Sequence, residues 1–507
     1  MKNYALTFLF FIILLSSCSN NDKASKEPTA EVLNENLSSF KEIGSLTIGG
    51  TGAAEITAYD EVSKRLFTVN NSNTNKIDVI DLTDPTNPKL IASIDLTPFN
   101  GASNSVATHN GKLAVALESF PNKQDLGKVV VFDTANYAII KQITVGSLPD
   151  MVTFSPDGKY IMTANEGEPS SDYTVDPNGS ISIIDVTNNY SVTTLDFSSF
   201  SSQLSSLTAG GLRVGKAGAT FAADIEPEYI TIASDSKTAW VTLQENNGVA
   251  KVDLVSKTIT KIFPLGYKDY NKSENAIDVS DKDNSIIFNN WKVKGLYMPD
   301  AIASYSVNGT NYFITANEGD AREYGSYADV SRLAKLGLDP VAFPNALLLQ
   351  ADAKMGRLNI ITTMGDANND GKYEELFAFG GRSFSIWNGD TGSLVFDSKN
   401  ELDKKAHEFG TYDDGRSDDK GSEPESVVVA KIGAKNILFV GLERTDNCMI
   451  YDVTNPNAPV YLQTLKTGDA PEGLLFISAS KSPTKRSLVI VSSEGDGTIK
   501  IFQPDLN

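Results

Sequence analysis

Short runs of apolar and β-branched residues, broken every few positions by Gly, Asn, Asp or Pro, recur along the chain from about residue 40 onward. Alternation of apolar and polar positions over such short runs is typical of β-strands. Sustained 3.6-residue periodicity, the mark of amphipathic helices, is almost absent. The pattern therefore predicts an all-β protein.

The predicted strands form a unit that occurs seven times. Each unit opens with an acidic residue or Asn and continues as a strand, a turn, a second strand ending in an acidic residue or Asn, and a third strand. The clearest copy begins at Pro149-Asp150 and reads MVTFSPDGKYIMTANEGE, followed by SISIIDV. Each unit corresponds to one four-stranded blade, so the repeat predicts a seven-bladed β-propeller.

One additional strand is predicted before the first unit, at residues 40–48 (FKEIGSLTI), and the last unit supplies only three strands. We expect the additional strand to complete the last blade, which would leave no free sheet edge. A solenoid or a pair of sandwiches is the competing interpretation. The predicted domain is a single propeller over residues 40–507.

The acidic residues of the repeat are predicted to converge on one mouth of the ring, because antiparallel neighbours bring the start of the first strand beside the end of the second. The units open at Glu55, Asn104, Asp150, Glu228, Asp300, Glu425 and Glu472, and their second strands close at Asn70, Glu118, Glu166, Glu245, Glu318, Glu443 and Glu494. Converging carboxylates need cations or basic side chains nearby. The predicted metal ligands are Glu166, Glu228, Asp300, Glu318, Glu425 and Glu472. For any single copy, simple turn capping is the alternative.

Four long insertions interrupt the repeat, at about 196–227, 263–299, 320–382 and 400–424. The same strand argument places all four on the face that carries the acidic mouth. Elaborated loops on one face of a plain scaffold are where the function of such proteins usually lies.

One insertion contains a candidate calcium loop. Asp366, Asn368 and Asp370 alternate along the chain, Gly371 follows, and Glu374 is positioned to close the loop. Oxygen ligands at alternate positions followed by Gly are typical of Ca²⁺ loops, although this closing Glu comes earlier than in an EF-hand. The sequence predicts a free-standing Ca²⁺ site, with an Asp/Asn-rich turn as the alternative.

Charge and composition exclude several classes of function. The 507 residues include 44 Lys and Arg against 64 Asp and Glu, a formal charge of −20 that disfavours nucleic acid as a partner. Two Cys and two His leave no disulfide framework and no His-rich zinc site. Three Trp are too few for a tryptophan-docked quinone dehydrogenase propeller.

The N-terminal sequence is typical of an export signal. Residues 1–17 combine Lys2 with a short apolar run and end in Leu-Ser-Ser before Cys18, which resembles the lipobox of bacterial lipoproteins. We expect lipidation of Cys18, a flexible tether over 18–39, and a monomer held at a membrane, with the outer membrane as the expected location. An ordinary signal peptide with an incidental Cys is the alternative.

Several long strings resemble the choice-of-anchor I family of bacterial surface or secreted propellers. They are ANEGEPS at 164–170, IEPEYI at 225–230, the segment 275–304, FITANEGDAREY at 313–324, GGRSFSIWN at 380–388 and GRSDDKGSEPES at 415–426. The sequence differs from the family's usual motifs at three places, which are SDKDN at 280–284, NWKV at 290–293 and Ser422. The resemblance implies a propeller fold, and some relatives are labelled alkaline phosphatase.

Two functions fit these features. The first is Ca²⁺-dependent binding of a ligand or protein partner by the loop-rich acidic mouth. The alternative is a Ca²⁺-dependent phosphoesterase, in which mouth carboxylates hold metals that bind phosphate and activate water. Its candidate catalytic residues are Glu318, Asp320, Arg322, Arg382 and Lys420.

Overall fold

The computed structural model describes Met1 and residues 34–507. The predicted signal peptide, Cys18 and most of the predicted tether lie outside the described residues. Within the described part the chain is all-β, as predicted, and no helix there combines the length and apolarity needed to cross a membrane.

The strands are given in chain order. The first thirteen are β1 (Glu35–Thr47), β2 (Ala53–Asp60), β3 (Arg65–Asn70), β4 (Lys76–Asp81), β5 (Lys89–Asp95), β6 (Ser103–His109), β7 (Lys112–Leu117), β8 (Leu126–Asp133), β9 (Ile139–Ser147), β10 (Pro149–Phe154), β11 (Tyr160–Asn165), β12 (Ser180–Asp185) and β13 (Ser191–Asp196). The middle strands are β14 (Ile230–Ile232), β15 (Thr238–Leu243), β16 (Gly248–Asp253), β17 (Thr258–Pro264), β18 (Tyr267–Asp269), β19 (Lys294–Leu296), β20 (Ile302–Val307), β21 (Thr310–Asn317), β22 (Glu323–Tyr324), β23 (Tyr327–Ala328), β24 (Val330–Arg332), β25 (Gly337–Leu338), β26 (Asn359–Ile361), β27 (Lys372–Tyr373) and β28 (Phe377–Ala378). The last strands are β29 (Ser383–Asn388), β30 (Leu394–Asp397), β31 (Pro424–Ile432), β32 (Lys435–Leu442), β33 (Asn447–Asp452), β34 (Val460–Lys466), β35 (Pro471–Ile477), β36 (Leu488–Ser493) and β37 (Thr498–Leu506).

Seven four-stranded sheets organise the described residues. Their strand orders are β2-β3-β4-β5, β6-β7-β8-β9, β10-β11-β12-β13, β14-β15-β16-β17, β20-β21-β29-β30, β31-β32-β33-β34 and β35-β36-β37-β1. The first strand of each sheet contacts the first strand of the next, and β35 contacts β2. Buried aliphatic and aromatic side chains fill the space between neighbouring sheets. The seven predicted units therefore correspond to seven four-stranded sheets, each of which contacts the next through its first strand.

The first strand completes the last sheet. β1 pairs antiparallel with β37, from Glu35 opposite Leu506 to Thr47 opposite Thr498. The strand begins at Glu35, so the end of the segment predicted to be a tether belongs to the sheet. Upstream of residue 40, Glu35 and Asn36 pair with Leu506 and Asp505, and the register shifts between Asn36 and Phe40.

Helices are few and short. They are α1 (Leu204–Ala209), α2 (Phe221–Asp224), α3 (Ala346–Leu349) and α4 (Glu401–Phe409), together with 3₁₀ turns at Thr97–Phe99, Ser198–Gln203, Ser273–Asn275, Leu333–Lys335, Asp414–Arg416 and Glu443–Thr445. α4 ends at Gly410, whose φ of 83° suits the left-handed residue that terminates many helices.

Four insertions lie between strands close to the predicted positions. They are the first insertion (197–229), the second insertion (265–301), the third insertion (318–382) and the fourth insertion (398–423). The sequence predicted loops, yet the second and third insertions share a hydrophobic core that includes Tyr270, Val293, Leu333, Met355 and Leu358. Within them β18, β19 and β28 form a small sheet. The second and third insertions thus pack against each other and are not separate loops.

Candidate functional site

One cavity of about 150 Å³ is lined by residues at or near the starts of the first strands of the four-stranded sheets. Five predicted carboxylates line it, together with Asn104 and Tyr229. We call this space the acidic cavity; its carboxylates are Asp150, Glu228, Asp300, Glu425 and Glu472. The structure therefore brings together residues that lie far apart in the sequence, from the third predicted unit to the last.

Basic side chains do not neutralise the acidic cavity. In the described part of the chain, none of its five carboxylates forms an ion pair with Lys, Arg or His. The oxygens Glu228 Oε2 and Glu425 Oε2 are buried and lack a hydrogen-bond partner. Carboxylate oxygens sealed from water without a partner are costly, so this wall is suited to a bound cation.

Burial and mutual repulsion shift the protonation of these carboxylates. Burial, followed by the charges of Asp300 and Glu118, raises the pKa of Asp150 to about 7. Burial, again followed by repulsion from Asp300, raises the pKa values of Glu228, Glu425 and Glu472 well above their ordinary value. The free cavity therefore favours partly protonated carboxyls, and a divalent cation would favour their ionised forms.

The ends of the second strands bring a further ring of acidic residues to the same face. Pro149 lies opposite Asn165 in the β10–β11 pair, so Asp150 and Glu166 share one end of the sheet. Burial and the charge of Asp150 raise the pKa of Glu166 well above its ordinary value. This juxtaposition is the one that antiparallel pairing predicts.

Buried asparagines fix the positions of Glu166 and Glu318. Asn317 Nδ2 donates hydrogen bonds to Ser383 Oγ at 3.0 Å and to Ser385 Oγ at 2.8 Å, tying β21 to β29 immediately before Glu318. The Thr-Ala-Asn end of β11 repeats the arrangement, with Asn165 Nδ2 donating to Ser182 Oγ at 3.0 Å. The local Thr-Ala-Asn-Glu sequence thus sets where the carboxylate emerges.

Glu318 belongs to two clusters of carboxylate side chains. On the cavity side, oxygens of Asp300, Glu318 and Glu425 lie within 4.8 Å of one another. On the outer side, oxygens of Glu318, Glu423 and Glu443 also lie within 4.8 Å of one another. We call these the inner trio and the outer trio. Glu423 lies in the segment GRSDDKGSEPES at 415–426 but was not among the metal ligands predicted from the sequence.

Three basic residues neutralise the outer trio. Lys420 Nζ donates to Glu318 Oε1 and lies 3.4 Å from Glu423 Oε2. Arg416 Nε donates to Glu423 Oε1 at 2.7 Å, and Arg444 Nη1 lies 2.6 Å from Glu443 Oε1. The outer trio is therefore compensated by the chain itself, whereas the acidic cavity is not.

The candidate residues Asp320 and Lys420 lie together at the edge of the mouth. Asp320 is exposed, and its Oδ1 lies 3.5 Å from Lys420 Nζ. Lys420 is only 8% exposed, and its pKa is raised well above its usual value because the carboxylates of Glu318, Asp320 and Glu423 outweigh the cost of burial. The ammonium stays charged in this position.

Arg322 lies in a buried ionic network outside the acidic cavity. Its Nε donates to Glu226 Oε2 at 3.0 Å, and its Nη2 donates to the main-chain oxygen of Asp224 at 2.7 Å. Tyr324 OH donates to the same oxygen of Glu226 at 3.2 Å. The guanidinium thus connects the third insertion to the first.

Arg382 binds main-chain carbonyls. Its Nη1 donates to the oxygen of Asp278, and its Nη2 donates to those of Ser417 and Asp419, each at 2.9 Å. The residue is 1% exposed. Arg382 therefore ties the second and fourth insertions to the end of the third, and its donors are engaged by protein atoms.

The candidate calcium loop closes on itself. Oxygens of Asp366, Asp370 and Glu374 lie within 4.8 Å of one another. Asp366 Oδ2 accepts from the main-chain nitrogen of Gly371 at 2.9 Å, and Glu374 Oε1 accepts from Asn368 Nδ2 at 2.8 Å. Gly371 has a φ of 83°, which permits the tight turn that the sequence pattern requires. The ligand set predicted from the sequence is thus close together in space.

Two curated relatives resemble parts of the chain. Gigasin-3a from Magallana gigas is 29% identical over 189 residues, covering 30% of this chain and 66% of the relative. A mesenchyme-specific cell surface glycoprotein from Strongylocentrotus purpuratus is 27% identical over 308 residues, covering 51% of this chain and 39% of the relative. The chain spans less than two thirds of either relative's length.

Solved structures with a similar fold include β-propellers of unrelated sequence. Hydrazine synthase from Kuenenia stuttgartiensis has a TM-score of 0.51 and 13% identity, covering 91% of this chain and 98% of that one. The WD40 domain of Toxoplasma gondii coronin has a TM-score of 0.50 and 7% identity, covering 94% of this chain and 89% of that one. These similarities concern the fold and carry no function.

The family assignment rests on sequence. Residues 55–456 match the choice-of-anchor I domain, a span that includes six of the seven predicted repeat starts and all four insertions. The chain therefore belongs to the choice-of-anchor I family of surface-associated β-propeller proteins.

Proposed function

We propose that this protein is an exported propeller that binds Ca²⁺ at its acidic mouth and uses the metal and the surrounding insertions to bind a ligand or protein partner. The observation that carries the proposal is the acidic cavity, in which five carboxylates converge without a cationic partner among the described residues. Ca²⁺ suits oxygen-only ligands and tolerates irregular geometry.

The scaffold of the proposal is a seven-bladed ring that β1 closes. The cyclic contacts of the innermost strands and the pairing of β1 with β37 support this arrangement. Such a ring holds every innermost strand with the same end toward one mouth. The mouth carboxylates are then fixed by the scaffold and need no flexible loop to assemble them. We expect this unit to act as a monomer.

Attachment to a membrane is proposed to depend on Cys18. The lipobox-like sequence before it and the surface association of the family support this part of the proposal. In a bacterial host that processes lipoproteins, the wild-type chain should partition with membranes and carry a lipid, and Cys18→Ala should not. Equal membrane partitioning and equal mass of the two mature chains would reject the anchor.

Ca²⁺ binding can be tested by titrating the chelator-treated full-length protein in a calorimeter. An Asp366→Asn/Asp370→Asn background removes the candidate loop, so remaining heat reports the mouth. Asp300→Asn with Glu425→Gln should abolish that heat, because it removes two charged ligands of the inner trio. Glu61→Gln, which changes an exposed carboxylate in the turn between β2 and β3, is the matched control. Undiminished binding in the double mouth variant would reject the site.

A Ca²⁺-dependent phosphoesterase is the second candidate. The observation in its favour is the Lys420 ammonium beside Glu318. It places a positively charged group and a possible metal ligand next to each other at one edge of the mouth. Lys420 also contacts carboxylates, but it lies at the edge of the mouth beside exposed Asp320, whereas Arg322 and Arg382 are 1% exposed, so Lys420 is the better phosphate-binding candidate of the three. Hydrolysis of p-nitrophenyl phosphate, bis-p-nitrophenyl phosphate and phytate should require Ca²⁺ and be lost in Glu318→Gln. No turnover of any of the three would reject the enzyme.

A further inference from the structure

The inner and outer trios share one carboxylate. Glu318 joins Asp300 and Glu425 on the cavity side, and it joins Glu423 and Glu443 on the outer side. A carboxylate in this position could bridge two divalent cations, as in the two-metal sites of many hydrolases. The number of cations that the mouth holds therefore depends on which side of Glu318 is free.

The two sides of Glu318 differ in the cations that the chain supplies. Lys420 Nζ contacts Glu318 Oε1, lies 3.4 Å from Glu423 Oε2 and lies 3.5 Å from Asp320 Oδ1. Glu318 does not itself line the acidic cavity, but its inner-trio partners Asp300 and Glu425 do, and neither of them forms an ion pair within residues 34–507. The ammonium thus forms ion pairs with Glu318, Asp320 and Glu423, and with neither Asp300 nor Glu425.

A second observation points to a ligand on the inner side. Glu425 Oε2, at the wall of the acidic cavity, is sealed from solvent and accepts no hydrogen bond, and the same holds for Glu228 Oε2. Glu318 itself is 7% exposed and is oriented by Gln244, whose Nε2 donates to Glu318 Oε2 at 2.8 Å. The inner side has fixed ligands and unused oxygens, whereas the outer side has its charges satisfied.

We infer that Lys420 restricts the mouth to one divalent cation, bound by the inner trio, by holding its own ammonium where a second cation would bind the outer trio. The inference rests on the proposed function, since it concerns the same mouth. A tethered ammonium already placed among the outer carboxylates needs no loss of translational freedom, whereas a competing cation would have to displace it from its ion pairs with Glu318 and Glu423. Lys420 is therefore a specificity-determining residue for metal number.

The test counts cations bound per chain. The full-length protein, in the Asp366→Asn/Asp370→Asn background, is dialysed to equilibrium against Ca²⁺ and its metal content is measured by elemental analysis. The expected content is one Ca²⁺ without further change, two in Lys420→Met, and one again in Lys420→Met/Glu423→Gln. Lys435→Met removes an exposed lysine paired with Asp452 at 2.8 Å and should leave the content at one.

A second pair of variants tests which trio binds the ion without changing Lys420, in case Lys420→Met does not fold. Glu423→Gln should keep one Ca²⁺, and Asp300→Asn should lose it. Two Ca²⁺ in the unaltered mouth, loss of the ion in Glu423→Gln, or a single ion in folded Lys420→Met would overturn the role of Lys420. No Ca²⁺ in the unaltered mouth would instead reject the proposed function itself, so the two failures are distinct.

Discussion

Arg322 Nε donates a hydrogen bond to Glu226 Oε2 across 3.0 Å, although the two residues lie 96 positions apart. Both side chains are almost fully buried, and Asp224 Oδ1 lies 3.3 Å from Arg322 Nη1. Burial raises the pKa of Glu226, while the Arg322 guanidinium lowers it. The pair joins the third insertion to the first.

Removing the guanidinium should destabilise the protein strongly. Arg322→Met leaves Glu226 and Asp224 buried without their cation, and breaking a buried pair in this way costs about 3–5 kcal/mol. Urea unfolding would measure the loss. Lys41→Met, which removes an exposed pair with Asp505, is the control and should cost less than about 1 kcal/mol. Equal stabilities of the two variants would show that the Arg322 network contributes nothing.

Stability in the presence of a chelator should fall as the pH rises from about 4 to 7. Burial and neighbouring carboxylates raise the pKa values of Glu55 and Asp150 to about 7 in the folded protein. A carboxyl whose folded pKa is raised stabilises the fold below its unfolded pKa, and that contribution is lost as the pH passes through the folded pKa. A tenfold change in the acid dissociation constant of such a group corresponds to about 1.4 kcal/mol.

Urea unfolding at pH 5, 6 and 7.5 would measure this dependence. Asp150→Asn should flatten it, because the amide does not ionise. Saturating Ca²⁺ should also flatten it if the ion binds the mouth carboxylates. A free energy of unfolding that increases over this range in chelator would contradict the assignment of these raised pKa values.

The strand pattern was sufficient to predict the scaffold. Alternation and turn residues indicated seven units, and the structure has seven sheets whose first and second strands pair as expected, with Pro149 opposite Asn165 and Pro424 opposite Leu442. Apart from the β1–β37 and β21–β29 pairs, pairing within a sheet is local in sequence, so a repeated local pattern is enough to predict it. Convergence of Asp150 and Glu425 on one cavity follows from the same repetition.

The packing of the insertions could not be predicted in this way. Arg382 was expected at the mouth, but its donors meet the carbonyls of Asp278, Ser417 and Asp419, which belong to two other insertions. Glu423 was not among the predicted metal ligands, although its segment was noted, and it lies beside Glu318 because the fourth insertion folds against the third. Contacts between non-repeated segments depend on tertiary packing, for which a single sequence offers no periodic signal.

The loop at Asp366 should contribute a Ca²⁺-dependent part of the stability. A ligand that binds only the folded state at 100 times its Kd adds about 2.7 kcal/mol to the free energy of unfolding. Asp366→Asn/Asp370→Asn removes two carboxylates of the loop and should abolish that increment while leaving the contribution of the mouth. Urea unfolding with EDTA or Ca²⁺ would measure both.

The control for the loop is Asp505→Asn, an exposed carboxylate of β37 that pairs with Lys41. It should retain the full response to Ca²⁺. An identical response to Ca²⁺ in the loop variant and in this control would mean that the loop is an Asp/Asn-rich turn without a bound metal.

The contribution of β1 can be measured through Phe40. Its side chain is 2% exposed and packs edge-on against Phe439 of the neighbouring sheet, with ring centroids 5.4 Å apart. Gln463 Nε2 also donates to the main-chain oxygen of Phe40 at 2.7 Å. Since Phe40 connects β1 to both β37 and the preceding sheet, Phe40→Ala should cost about 3–5 kcal/mol in urea unfolding. Phe120→Ala, at a ring that is 70% exposed, should change stability by no more than about 0.5 kcal/mol. If the two variants were equally stable, β1 would be only loosely attached and the closure of the ring by this strand would be wrong.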